Sequence, residues 1–173
     1  ITLAILQPDG RDRLLDTAEA VRARGGEIVF DTNYRPALWR PPEAAGAMRR
    51  AMNAATLALP SIADLSMVFE HAGEDWSAFF DDDQSKEIVL RHSATRLQVR
   101  SHGSWRDFHL KPATAVVDTT AAGDSFNAGY LAARLMGRSI DDAVSEAHAL
   151  AAAVIAHPGA VIPRDQMPAQ PQV

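Results

Sequence analysis

Cysteine is absent from this sequence, and lysine nearly so: only Lys86 and Lys111 occur. Without cysteine there is no disulfide and no thiolate chemistry, which fits a reducing compartment such as the cytoplasm. No apolar run approaches the ~20 residues a membrane span needs, so no membrane partner is expected. The opening "ITLAILQPDGR" lacks the basic start and cleavage site of a signal peptide. A net charge of -5 and a pI of about 5.6 argue against a nucleic-acid partner. Methionine is also missing from position 1. A start directly on an apolar run gives the expectation of a piece of a longer protein. What is present is a globular composition, 47% hydrophobic and 23% charged over 173 residues, enough for one core.

Periodicity then divides the chain. "DGRDRLLDTAEAVRARGG" has helical spacing and a Gly-Gly stop. "EIVFD" and "TLALP" read as short buried strands. "TNYRPALWRPPE" between them reads as a loop broken by three prolines, followed by a helix from Glu43. Helices are expected over 61–73, with Ser61 as N-cap and Asp64 three residues on, and in shorter form over 74–83. "EIVLRH", "RLQVRS" and "WRDFHL" alternate as strands joined by turns at Ser93-Ala94 and His102-Gly103. Two more helices follow: 123–136, stopped at Gly137, and one from Ser139 to about His157. The tail 167–173 is expected to be disordered. Strands and helices alternate as βαβ units, so the fold class is α/β with a mostly parallel sheet flanked by helices.

One stretch carries chemistry: "AVVDTTAAGDSFNAGYLAARLMG", residues 115–137. Val116-Val117 read as a strand, so the order is strand, turn, helix. A helix N-terminus offers backbone N–H groups and a positive dipole end, and small residues let an anion come close. Ala121, Ala122 and Gly123 are such residues. Asp124 stands beside them, where an acid also serves simply to start a helix. If the anion is a nucleotide phosphate, Asp124 is placed to accept the proton of an attacking hydroxyl. No G-x-x-x-x-G-K-[ST] occurs, so this is not a Walker-type loop. With two lysines, phosphate binding must rest on amides, arginine or metal.

"DTTAAGDSFNAG" resembles the C-terminal signature of the ribokinase family of carbohydrate kinases, usually D-T-T-G-A-G-D-x-F. "ITLAIL", "FDTNYRPALW" and "GAVIPRDQMP" resemble other segments of that family, so the resemblance runs from residue 1 to about 168 as the C-terminal part of one kinase domain. It implies a ribokinase-like fold and ATP-dependent phosphorylation of a sugar acid, 2-keto-3-deoxygluconate, at its 6-hydroxyl. It implies Mg2+, and a monovalent cation in some members. Asp124 falls on the catalytic base, which also touches the substrate hydroxyl, and Ala121, Ala122 and Gly123 fall on the anion hole. Arg35 falls on an arginine that reads the sugar-acid carboxylate; alone it reads as a solvent-facing loop residue. Asn33 falls near the phosphates, or is a turn residue. Ser61 and Asp64 align with an Asn-x-x-Glu beside phosphates and magnesium, or form a plain cap. Ser93 and Arg96 stand in the nucleotide loop where glycines are common. His148 falls beside the adenine, or is a helix-face histidine.

The resemblance leaves out the family's N-terminal half, with its substrate motif and lid. Bare sheet edge and apolar surface are therefore expected, and with them self-association into a homo-oligomer or docking on a partner chain. Three rivals stand beside it. A serine hydrolase using Ser125 of "GDS" would need a late Asp-x-x-His, which does not occur. An inert nucleotide-binding fragment would bind ATP without sugar turnover. Another sugar kinase, such as a fructokinase, would share the motif.

Overall fold

The computed structural model describes residues 2–71, 75–80 and 83–168. They fall into two compact units that divide between His109 and Leu110.

The first unit holds α1 (Thr2–Ile5), α2 (Pro8–Ala23), β1 (Val29–Asp31), α3 (Pro41–Ala54), β2 (Leu57–Leu59), α4 (Ile62–Val68), β3 (Glu87–Arg91), β4 (Arg96–Ser101) and β5 (Ser104–His109). The strands lie in the order β1-β2-β3-β4-β5. The first three are parallel, with Val29 opposite Leu57 and Leu57 opposite Glu87. β4 and β5 then add as an antiparallel meander, with Val89 opposite Val99 and Gln98 opposite Asp107. In this unit the five expected strands and both turns are present. His102 and Gly103 take positive φ values of 48° and 76°, the twist that suits a two-residue hairpin.

Three expectations are corrected here. Pro41 and Pro42 do not break a loop; they begin α3, where the missing N–H costs nothing and the fixed φ suits the helix. Helix α4 stops at Val68 instead of running to residue 73. Phe69 is extended and meets Phe79 edge-on, with ring centres 4.9 Å apart. That aromatic contact wins over helix continuation; residues 72–74 lie outside the described set. The expected short helix over 74–83 is a 3₁₀ turn at Ser77–Phe80, with 74, 81 and 82 outside the described residues.

Among the described residues, two apolar clusters help to hold this unit. One joins Leu3, Leu15, Tyr34, Trp39, Met48 and Val68. The other joins Met52, Leu65, Trp76, Phe80, Ile88 and Leu90. Leu65, Ile88 and Leu90 are fully buried, and each such side chain stabilises by about 1.5–3 kcal/mol. β1 stands at the edge of the sheet, and Val29 is 42% exposed. Beside it lies a mainly apolar cavity of about 430 Å³ lined by Leu3, Leu14, Leu15, Phe30 and Trp39 among others.

The second unit is a helix pair, α5 (Ala122–Leu135) and α6 (Ile140–Ile155). Gly137, at φ 73°, ends α5, and Arg138 N–H caps it by donating to the Ala133 carbonyl at 3.0 Å. The helices touch at Gly129, where a Cβ would stand 2.8 Å from the Ala147 Cα, so no side chain fits. The expected strand at Val116-Val117 is not formed. A strand exists through its ladder partner, and the Val117 N–H instead donates to the Ile155 carbonyl at 2.8 Å. The two valines are 61% and 63% exposed. Of the tail, residues 169–173 lie outside the described set; Met167 and Pro168 follow a 3₁₀ turn at Arg164–Gln166.

Candidate functional site

The candidate residues divide between the units. In the second unit, everything at the start of α5 is set by the turn before it. Ala121 is the N-cap, at φ 60° and ψ 14°, in the left-handed region. For a residue with a Cβ this costs roughly 1–2 kcal/mol. The neighbours hold it there. Asp118 Oδ1 accepts the Thr120 N–H at 2.8 Å and the Thr120 hydroxyl at 2.6 Å. Its Oδ2 accepts the Gly159 N–H at 2.8 Å. The Ala122 N–H donates back to the Thr119 carbonyl at 3.2 Å. One carboxylate therefore ties the turn to the segment that follows α6. The two Thr120 bonds, then the Gly159 bond, lower the Asp118 pKa from its ordinary 3.8. Its contribution to stability is present above that value and is lost only as pH falls through the lowered one. Asp118 is a functional-turn residue not singled out above; an Asp two residues before a Thr is its local signal, that of an Asx turn. Asp124 lies in the first turn of α5, and both it and Gly123 are exposed. His148, on α6, donates from Nε2 to the Lys111 carbonyl at 2.8 Å.

In the first unit, the carboxyl ends of β1, β2 and β3 are tied together. Arg91 pairs with Asp31 at 3.0 Å and donates to the Leu59 carbonyl at 3.1 Å. The Thr32 hydroxyl, missed in the sequence, donates to Asp64 Oδ2 at 2.7 Å and accepts the Ser61 N–H at 3.3 Å. Ser61 Oγ accepts the Asp64 N–H at 3.1 Å. The expected cap is real, and its acid also reaches the next strand end. Asn33 follows at φ 35°, a left-handed turn that asparagine tolerates, and Arg35 is exposed on the loop beyond. On the β3–β4 turn, Ser93 Oγ accepts the Thr95 N–H at 3.2 Å, and Arg96 faces Asp107 at 3.4 Å. Ligands of open α/β sheets bind at such carboxyl ends.

A family model described as pfkB family carbohydrate kinase matches residues 1–167. The chain belongs to the pfkB family of carbohydrate kinases.

It is 40% identical over 174 residues to a 2-dehydro-3-deoxygluconokinase of Escherichia coli strain K12, covering 98% of this chain and 56% of that protein. It is 39% identical to a protein of the same description from Dickeya dadantii, with the same coverage. The pfkB chain thus spans little more than half the length of these relatives. A solved E. coli structure, a putative ribokinase II in complex with ATP and Mg2+, superposes with a TM-score of 0.75 at 24% identity, over 90% of this chain and 50% of that one. That likeness shows the ribokinase-like fold. Among the described residues, no helix is long and apolar enough to cross a membrane. They also hold no cluster of three or more acidic, His or Cys side chains that would cage a metal. Beside the β1 and β2 ends stands Asp64 with the Thr32 and Ser61 hydroxyls, while Asp31, the other carboxylate there, pairs with Arg91. That set fits Mg2+, which keeps several waters and takes one or two carboxylates plus substrate phosphates.

Proposed function

We propose that the chain is the catalytic portion of a cytoplasmic kinase that phosphorylates 2-keto-3-deoxygluconate at its 6-hydroxyl with ATP. One observation carries the reading: the Asp118-braced, left-handed turn at Ala121 starts α5 with an exposed Asp124 in its first turn. The names of the relatives at 39–40% identity support the substrate.

In this reading the Asp124 carboxylate takes the proton of the 6-hydroxyl as that oxygen bonds to the γ-phosphorus. The β–γ bridging bond breaks, and its electron pair leaves with ADP. Backbone N–H groups at the start of α5 hold the charge on the phosphoryl oxygens, that of Ala122 only once it leaves the Thr119 carbonyl to which it donates at 3.2 Å. Arg35 reads the sugar-acid carboxylate with its planar fork. Asp64 would hold Mg2+, which when bound would offset charge on the phosphates. Asn33, Ser61, Ser93, Arg96 and His148 line the nucleotide.

Sugar-dependent ADP release tests the proposal, using an active kinase that carries these residues and a panel of 2-keto-3-deoxygluconate, fructose and ribose. The sugar acid should give the highest kcat/KM. Preference for fructose would replace the substrate with that of a fructokinase. The 173-residue chain assayed alone should show no sugar-dependent turnover, since phosphoryl transfer rests on positioning. Turnover at the full rate would show its site to be complete. Its sedimentation should reveal self-association through the open β1 edge.

A further inference from the structure

Arg11, in α2, is 8% exposed and takes no part in the chemistry proposed above. Its Nε donates to the Leu3 carbonyl at 2.8 Å, and Nη2 donates to the Leu6 carbonyl at 3.3 Å. Nη2 also pairs with Glu43, at the start of α3, at 3.0 Å. The guanidinium carbon lies 4.8 Å from the centre of the Trp39 ring. Trp39 is 8% exposed and Tyr34 only 2%. The Tyr34 hydroxyl donates to the Trp39 carbonyl at 3.0 Å, and the Leu38 N–H donates to the Arg35 carbonyl at 2.9 Å. Residues 35–38 therefore form an exposed arch whose feet, Tyr34 and Trp39, are buried. Arg11 is the post under one foot. Burying a guanidinium is costly, and an aliphatic side chain would fill the space. Only a planar cation held by two carbonyls and a carboxylate also fixes the tilt of the indole.

We propose that Arg11 is a positioning residue for sugar-acid recognition: it fixes Trp39, and through the Trp39–Tyr34 clamp it fixes the arch that presents Arg35. This rests on the reading of Arg35 given under the proposed function.

The test is steady-state kinetics on an active kinase carrying these residues, with both substrates varied. Arg11→Met should raise KM for the sugar acid about tenfold, with kcat and the KM for ATP within about twofold. Arg11→Lys should fall between, and it carries the test if Arg11→Met does not fold. Amide exchange at Leu38 should quicken in both variants. In an Arg35→Ala background, Arg11→Met should add less than about twofold, because the two act through one contact. Equal rises in both KM values, or a lower Tm with unchanged KM, would make Arg11 merely structural and overturn the proposal. Arg35→Lys is the separate control. If it leaves the sugar-acid KM unchanged, the reading of Arg35 falls and this proposal with it. If it raises that KM while Arg11→Met does not, the proposal alone falls.

Discussion

Helices α5 and α6 follow one another, and each has an aspartate as its third residue, Asp124 and Asp142. Their starts are built in opposite ways. At α6 the N-cap Ser139 accepts the Asp142 N–H at 3.1 Å and gives its own hydroxyl to Asp142 Oδ2 at 2.7 Å. The acid is used up by its own helix. At α5 the N-cap is Ala121, which has no side-chain oxygen to offer, held in a left-handed turn. The acid stands exposed. A helix start whose cap ties down its own acid is structural; one without a side-chain cap, built at the expense of strain, leaves its acid available to a ligand. Helix α4 lies between the two. Asp64 is again the third residue and its N–H is capped by Ser61, but its Oδ2 takes the Thr32 hydroxyl from the end of β1.

Substitutions can sharpen or break this contrast. Asp124→Asn should cut phosphoryl transfer by about 10²–10⁴-fold while ATP binding stays nearly intact. Near-normal turnover would remove Asp124 from the chemistry and make α5 an ordinary helix. Asp64→Asn should act on the nucleotide side, raising the Mg2+ concentration needed for half-maximal rate by about tenfold. An unchanged Mg2+ titration would class α4 with α6 as a plain cap. Ser139→Ala should cost about 1 kcal/mol in urea unfolding and leave KM and kcat alone. A kinetic effect there would break the contrast from the structural side. Ala121→Gly should be the mildest, shifting stability by less than ~1 kcal/mol, because relief of strain opposes a freer unfolded chain. A larger loss would mean that the Ala121 methyl group packs against something the turn needs.

Much of this contrast was legible in the residues, and the limits were physical. The caps at Ser61 and Ser139, the stop at Gly137 and the His102-Gly103 turn were all read correctly, because capping and turn chemistry is local. What depends on distant partners was not. Val116-Val117 had the composition of a strand, but its N–H went to Ile155. The end of α4 was decided by the Phe69–Phe79 contact. Asp124 and the small residues before it were legible because the motif is continuous in sequence. Thr32 and Asp118 were not, since Thr32 works through a residue 32 positions away and the Gly159 bond of Asp118 spans 41.

The Asp118 bonds have a consequence for how the gene can vary. Three donors converge on its two oxygens, so the site has a fixed polarity: every arrow points inward. Asparagine has the same shape and lies one base change from aspartate. It brings one acceptor and a donor of its own, which would face either Thr120 or the Gly159 N–H. The replacement that looks most conservative on paper is therefore one that this position resists, and glutamate, one methylene longer, would overreach the same turn. Natural variation should be narrower at residue 118 than at the exposed loop positions beside it.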